Sequence, residues 1–444
     1  MKIVIVGAQE VGTHLARLLS RENMDVTLMD SDSARVNQLA FLNLMTVVGA
    51  PTSIRSLKEA EVQRADLFIA VTPNESVNIH ACILASNLGA RRTMARIDSY
   101  EMQKPENAGF YRKIGVNRLV YPELLGGQAV AQAICRPWAR MSFELCDGQL
   151  LLLTVKVGEG APIVGQKLMD IGQQHPQYHI AAIKRSDEVI IPQGKDEILA
   201  NDIIYFVVAP DKTETVRLVC GKKDRALKRV VLMGGSRLGI QAAYCLADRY
   251  DIMFIEQDRH VAEDLMTRLP HCKVLHGDSS DIEFLNEIGL TRSDAFVALG
   301  DNSGTNVLAC LTAKKLGVGK TVAEVEDVDY IALAANLDIG STVNKKILTA
   351  SSIYQLLLDA DKTSAKCFSL VDAEVADLVA QPGSKITLKT VRELNLPRGI
   401  TLGGMIRDGK GETVNGDTQI QAGDHVVVVC MNEMIGRVEK LFLK

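Results

Sequence analysis

The sequence contains no apolar run near the ~18–20 residues that cross a bilayer as a helix. Its opening, Met1-Lys2-Ile3-Val4-Ile5-Val6-Gly7, passes straight from a strand-like run into a glycine, unlike a secretory leader. These absences predict a cytoplasmic protein that reaches the inner face of the cell membrane only through a partner. No Lys/Arg-rich block is present, and 50 basic residues against 54 acidic ones leave a net charge of −4. Binding to bulk nucleic acid needs a clustered basic face, so that class is excluded. Nine cysteines lie singly, at 82, 135, 146, 220, 245, 272, 310, 367 and 430, with no Cys-x-x-Cys. They are expected to be reduced thiols packed as small apolar residues. His175 and His179 stand four apart, but in the loop-like stretch Gln173–His179 with no acidic or cysteine partner nearby, so no metal site is expected.

What the chain does contain is a repeat. Its 444 residues, 47% hydrophobic and 23% charged, exceed one ordinary core and fit about two to four domains. Gly7-Ala8-Gln9-Glu10-Val11-Gly12 returns as Gly234-Gly235-Ser236-Arg237-Leu238-Gly239, and 234 − 7 = 227. Asp30 returns as Glu256 (256 − 30 = 226), Gly49 as Gly277 (277 − 49 = 228) and Asn78 as Asn306 (306 − 78 = 228). So small a drift marks one unit copied twice.

Within each unit short apolar runs alternate with helical patterns. Strands are expected at 3–6, 26–29, 44–48, 67–71 and 93–97, with helices at 12–20, 34–39, 54–60 and 78–88 between them. The second copy places strands at 230–233, 252–255, 273–275, 295–298 and 321–325. Such alternation implies a parallel sheet with right-handed crossovers. A different texture follows each unit. Stretches 143–157 and 180–208 alternate like antiparallel strands, with turns at Asp147-Gly148 and 185–187, and Gly194…Asp202 is echoed by Gly416…Asp424 (416 − 194 = 222).

The expected fold class is therefore α/β: two Rossmann-like, doubly wound parallel-sheet domains, each followed by a small α+β domain. The expected boundaries are 1–120, a crossover helix at 121–140, 141–222, 226–345, a second crossover helix at 346–364, and 365–444.

A glycine loop that follows a strand and opens a helix offers free backbone N–H groups and the positive end of a macrodipole, a natural seat for pyrophosphate. Asp30 and Glu256 stand 23 and 22 residues after Gly7 and Gly234 (30 − 7 and 256 − 234), at the ends of second strands. A carboxylate there accepts hydrogen bonds from ribose hydroxyls and repels a 2′-phosphate, which favours NAD or ATP over NADP. In both loops the middle glycine is replaced, by Gln9 and by Ser236, and a Cβ there crowds the pyrophosphate. Arg96 follows the fifth strand of the first copy, where an arginine could hold phosphate; the matching residue of the second copy is Glu324, and that copy instead carries Arg237 in its loop.

The tandem glycine loops, Gly277-Asp278-Ser279-Ser280, Ala70-Val71-Thr72…Glu75-Ser76-Val77-Asn78 and Asn415-Gly416-Asp417-Thr418…Gly423-Asp424 resemble the regulator-of-potassium-conductance (RCK, or KTN) domains. Two full copies in one chain are similar to the TrkA family, cytosolic subunits of bacterial Trk potassium-uptake systems. The resemblance implies a regulatory, non-enzymatic subunit that forms a homo-oligomeric ring, a dimer or tetramer, and docks on a TrkH- or TrkG-like membrane channel to gate potassium uptake. It implies NAD or NADH as ligand, with ATP or ADP as the alternative. Its binding contacts fall on Gly7, Ala8, Gln9, Glu10, Val11, Gly12, Asp30, Thr72, Pro73 and Arg96 in the first copy. In the second they fall on Gly234, Gly235, Ser236, Arg237, Leu238, Gly239, Glu256, Gly277, Asp278, Gly300 and Asp301. Gln9, and Ala50 where the second copy keeps Asp278, depart from the pattern and imply that the first site binds differently.

The rival from another class is an NAD-dependent oxidoreductase with a duplicated Rossmann domain. It would need a proton donor, commonly a His with an acidic partner, near the nicotinamide. His14, His80, His260, His271, His276 and His425 show no such arrangement in sequence, so no catalytic residue is assigned. A DNA-binding repressor would need a helix-turn-helix with a basic recognition helix, and none is visible.

Overall fold

The computed structural model describes residues 1–20, 24–39, 41, 44–186, 188–327, 330–331, 333–334, 337, 339–358, 366–369, 373–431 and 434–443, with the backbone alone at 355–358 and 366–369. The junction 359–365 after the second crossover helix, and Asp187 in the expected turn, lie outside these residues.

Six short apolar strands build the first lobe: β1 (Lys2–Val6), β2 (Asp25–Asp30), β3 (Met45–Val48), β4 (Leu67–Ala70), β5 (Thr93–Arg96) and β6 (Arg118–Val120). They pair in parallel in the order β3-β2-β1-β4-β5-β6. Helices cover both faces, so β1 and β4 bury nearly every side chain and read as continuous apolar runs. Helix starts lie where a side chain can cap them. Asp32 accepts from the N–H groups of Ala34 and Arg35, and Asn74 from that of Val77. Hence the helix expected from 78 begins at Glu75.

The first small domain contains β7 (Met141–Leu145), β8 (Leu150–Lys156), β9 (Tyr178–Arg185), β10 (Glu188–Ile190) and β11 (Ile203–Val208) in the antiparallel order β10-β9-β11-β8-β7. The second lobe repeats the first with β12 (Arg229–Met233), β13 (Asp251–Glu256), β14 (Lys273–His276), β15 (Ala295–Ala298), β16 (Lys320–Glu324) and β17 (Ser341–Val343), ordered β14-β13-β12-β15-β16-β17. The second small domain comprises β18 (Lys366–Ser369), β19 (Ala373–Val379), β20 (Ile400–Arg407), β21 (Lys410–Thr413) and β22 (His425–Met431). Its order, β18-β19-β22-β20-β21, matches the first strand for strand.

The echo between Asp202 and Asp424 has a physical cause. Arg185 grips Asp202 with two bonds of 2.9 and 2.7 Å and donates to the Glu197 carbonyl; Arg407 grips Asp424 with 3.1 and 2.6 Å and donates to the Gln419 carbonyl. Each fork ties the loop that leads into β11 or β22 back to the end of β9 or β20. Strand β8 buries six of its seven residues rather than every second one, because its sheet is covered twice. Leu151, Leu153 and Val155 face the domain's own helices, whereas Leu150, Leu152 and Val207 share a core with Val375, Val427 and Val429 of the other small domain.

The two halves are interlocked by their crossover helices. The helix Pro122–Cys135, leaving the first lobe, packs on the glycine-loop helix Arg237–Leu246 of the second lobe. The helix Lys345–Leu358, leaving the second lobe, packs on the glycine-loop helix Glu10–Ser20 of the first. Gly126 and Gly127 make the first contact close: a Cβ on Gly127 would lie 2.9 Å from the Gln241 carbonyl carbon.

Candidate functional site

In both lobes the predicted binding segments gather at the carboxyl ends of the strands, around the switch point where the order turns from the first strand to the fourth. Gly7 (φ +105°) and Gly234 (φ +98°) hold a conformation that side chains avoid. A Cβ on Gly7 would meet the Thr72 nitrogen at 2.9 Å, and one on Gly234 the Leu299 carbonyl oxygen at 2.9 Å, so the glycine loop and the loop after the fourth strand touch. Gly12 and Gly239 are required as well, since a Cβ there would strike the carbonyl oxygens of Gly7 and Gly234, at 1.8 and 2.5 Å. The first and last glycines thus survive for steric reasons within the fold. The middle position has no such constraint, which is why Gln9 and Ser236 fit.

The acidic residues close the corner. Asp30, 7% exposed, accepts from the Ala8 N–H (2.6 Å) through one oxygen and from the Asp32 N–H (2.9 Å) through the other. Glu256 accepts from the Gly235 N–H (2.5 Å) and the Asp258 N–H (2.8 Å). Each carboxylate latches its glycine loop to the end of the second strand, and each oxygen keeps lone-pair capacity for a ribose hydroxyl. Gly235 is fixed by packing, since its Cβ would meet Val261 and Leu265 at 2.6 and 2.8 Å. Ser236 caps its own helix by accepting from the Gly239 N–H at 3.2 Å. A phosphate at that helix start would compete with the Ser236 hydroxyl for the same donor. Gln9 is half-buried, and its carbonyl begins the first helix by accepting from the Thr13 N–H.

Beyond the loops the copies diverge. Asp278 turns back on its own loop, accepting from the Ser280 N–H and hydroxyl at 2.8 and 2.7 Å, and these bonds hold its carboxyl below the usual range. Ala50 can form no such turn. Gly300 is half-buried beside exposed Asp301, while Thr72 is half-buried beside exposed Pro73. Arg96 ends β5 and pairs with Asp98 at 3.3 Å. Arg237 reaches out of its own lobe to the same Asp98, its Nη1 lying 3.4 Å from the carbonyl and 3.7 Å from the carboxylate. Glu324, at the position of Arg96, is buried and paired with Lys345 at 3.0 Å. Lys345 serves both Glu324 and Glu326, which raise its pKa against the opposing effect of burial. Burial pushes Glu324 up to about 7, so the deeper of the two carboxylates holds its proton more readily.

Asn78 and Asn306, which mark the repeat in the sequence, have a structural task. Asn78 Oδ1 accepts from the Thr72 N–H (2.9 Å) and hydroxyl (2.6 Å), while its amide donates to the carbonyls of Thr72 and Arg96, both at 2.9 Å. Asn306 repeats this with Gly300 N–H (2.9 Å), Gly300 O (2.7 Å) and Glu324 O (3.0 Å). Each asparagine bolts the loop after the fourth strand to the end of the fifth. A polar residue returning at one offset inside an apolar helix was the signal.

One placement is corrected. His179 is not in a loop but in β9, half-buried between the small domains, and its removal from solvent there lowers its pKa to about 4. Only His175 stays outside a strand, at the end of the helix Leu168–Gln174. Among the described residues no group of three or more His, Cys, Asp or Glu could hold a metal, and eight cysteines are free thiols. No helix among them is long and apolar enough to cross a membrane.

The TrkA-N domain model matches residues 3–122 and 230–345, and the TrkA-C domain model matches 152–221 and 375–443. The Trk system potassium uptake protein TrkA of Azorhizobium caulinodans is 31% identical over 454 residues, spanning 100% of this chain and 98% of that protein. The chain belongs to the TrkA family. The TrkA of Vibrio alginolyticus is 30% identical over 451 residues, with 100% and 98% covered. Solved structures show the same RCK-type fold: the GsuK RCK domain has a TM-score of 0.59 at 16% identity, covering 99% of this chain and 94% of that one. The GsuK channel gives 0.61 at 16% identity, with 99% and 78% covered. Membership in the TrkA family assigns the duplicated lobes and small domains to its N- and C-type modules, and with them a part in potassium uptake.

Proposed function

We propose that the chain is a nucleotide-binding regulatory subunit which docks on a TrkH- or TrkG-like membrane potassium channel and gates uptake. NAD or NADH, with ATP or ADP as alternatives, binds at the carboxyl ends of the two parallel sheets. The observation that carries this reading is the latch made twice over: Asp30 on the Ala8 N–H and Glu256 on the Gly235 N–H. Each builds a ready corner in which a carboxylate meets ribose and a helix start meets pyrophosphate. The relatives' assignment to Trk potassium uptake supports the role, and GsuK structures of the same fold were solved with NAD and with ADP. Bound nucleotide then acts by favouring one arrangement of the interlocked lobes over another, since a ligand shifts an equilibrium only by its unequal affinity for the two states. The ring is a dimer or tetramer of the double-length chain, held peripherally at the inner face of the membrane.

Calorimetric titration with ATP, ADP, NAD, NADH and NADPH tests the ligand assignment. At least one of the first four is expected to bind and NADPH to bind more weakly than NADH. Absence of binding by all five would overturn it. Co-purification with a membrane potassium transporter tests the partner, and steady turnover of NADH would favour the oxidoreductase instead.

A further inference from the structure

Each glycine-loop helix begins with a charged residue aimed at the opposite lobe, and the two charges have opposite sign. Glu10 pairs with Lys346, at the start of the second crossover helix, and Lys346 also binds Glu326 at 2.9 Å. Arg237 pairs with Asp98, which also holds Arg96. The duplication assigns each of these residues a counterpart: Arg237 to Glu10 (237 − 10 = 227), Glu324 to Arg96 (324 − 96 = 228), Glu326 to Asp98 (326 − 98 = 228). Aligning the last strands of the lobes, Val120 with Val343 (343 − 120 = 223), assigns Lys346 to Glu123 (346 − 123 = 223). At three of these four positions the sign is inverted; only Asp98 and Glu326 keep it.

Because the lobes share one fold, the contacts of a like pair follow by substitution. Two first-type lobes meeting on this face would set Glu10 against Glu123 in place of Lys346, and against Asp98 in place of Arg237. Both contacts become repulsive. Two second-type lobes would set Arg237 against Lys346, repulsive at one contact of two. The unlike pair is attractive at both. Glu123 adds to the bias: it is 5% exposed, its Oε2 has no hydrogen-bond partner, and its attractive neighbours are Lys345 of the other lobe and Arg96 of its own.

We infer that the glycine-loop face of each lobe is a docking surface coded by charge for a lobe of the other type. A first-type lobe pairs there with the second-type lobe of its own chain, and not with another first-type lobe. Exposed ion pairs contribute little attraction, so discrimination comes mainly from the cost of the wrong pair. Assembly of this chain into a ring therefore uses other faces of the lobes.

The test uses the full-length chain without nucleotide, so its outcome is independent of the ligand assignment. Glu10→Lys, Lys346→Glu and the double reversal are compared at low salt by thermal unfolding and by sedimentation. Each single reversal is expected to lower the melting temperature by a few degrees, and the double to recover part of the loss, the contact of Lys346 with Glu326 staying lost. Lys346→Arg is expected to behave as wild type, the differences to shrink in about 1 M salt, where screening is nearly complete, and the oligomer mass to stay constant throughout. Additive losses in the double variant, singles without effect at low salt, or a change of oligomer mass would each overturn the inference.

Discussion

His179 and Thr401 occupy equivalent positions in the two small domains (401 − 179 = 222, the offset of Gly194 and Gly416) and hydrogen-bond each other at 2.8 Å. A residue that touches its own counterpart marks a local two-fold axis, here between β9 and β20. The Val414 carbonyl, 3.0 Å from Nδ1, can only accept, so Nδ1 carries the proton and Nε2 accepts from the Thr401 hydroxyl.

This geometry predicts an acid-sensitive contact between the small domains. Burial lowers the His179 pKa to about 4, with the Val414 bond opposing the shift. The unfolded chain therefore binds the extra proton first. Stability is complete above the ordinary histidine value and falls as pH drops from about 6.5 towards 4, by about 1–3 kcal/mol. Urea unfolding at pH 7.5 and 5.0 measures the loss, and His179→Gln is expected to reduce it. An unchanged difference in the variant would remove His179 as its source.

Lys320 predicts the opposite end of the pH scale. Its Nζ donates to the Ala139 carbonyl (2.9 Å) and the Ser341 hydroxyl (2.8 Å), pinning the end of the first crossover segment to the second lobe. Burial, with Arg140 adding, lowers its pKa to about 7. Unfolding then takes up a proton between that value and the ordinary lysine value, so stability rises as pH goes from about 7 to 10. In Lys320→Met this rise is expected to disappear from the unfolding midpoints.

The asparagine bolts should be costly to remove. Asn78→Ala orphans the Thr72 N–H and the carbonyls of Thr72 and Arg96, and Asn306→Ala does the same around Gly300 and Glu324. We expect losses of about 1–3 kcal/mol each in chemical denaturation. Both sites should also bind nucleotide less well, because the loop after the fourth strand is released. A variant with unaltered stability would show that these bonds have solvent equivalents.

Asp30→Ala and Glu256→Ala test the latches as binding groups. Each is expected to weaken adenine-nucleotide binding at its own site by about tenfold or more, about 1.4 kcal/mol, while the chain stays folded. Wild-type affinity in both, read by calorimetry, would leave the carboxylates with a loop-holding role alone.

Two adjacent glycines should respond differently to the same added methyl. A Cβ on Gly127 meets backbone, the Gln241 carbonyl carbon at 2.9 Å and the Ala242 nitrogen at 3.0 Å; one on Gly126 meets the Leu238 Cδ1 at 2.6 Å, which can turn away. Alanine gains up to about 1 kcal/mol over glycine inside a helix. Gly126→Ala should therefore be near neutral and Gly127→Ala destabilising in thermal melts. Equal effects would mean that the crossover helix can shift as a body.

Much of the fold was legible because its signals are local. Buried parallel strands such as β1 and β4 read as apolar runs, and Gly7 and Gly12 mark the strand-to-helix turn that only glycine permits. The repeat offset then carried each assignment to the second copy. His179 was misread because Pro176 and three glutamines give its neighbourhood a loop's composition, while what fixes it is a partner 222 residues away. Arg237 was read with its own loop, yet it pairs with Asp98 in the other lobe.

By itself the sequence determined two α/β lobes, their glycine loops, the carboxylates that end their second strands, and the two small domains. Those features depend on backbone conformation, apolar periodicity and spacing along the chain. Only the tertiary structure decided that each crossover helix braces the opposite lobe, that Glu10 and Arg237 answer charges across the junction, and that equivalent strands meet at β9 and β20. These relationships arise from packing between segments more than a hundred residues apart, where side-chain shape and charge sign select the partner and sequence order does not.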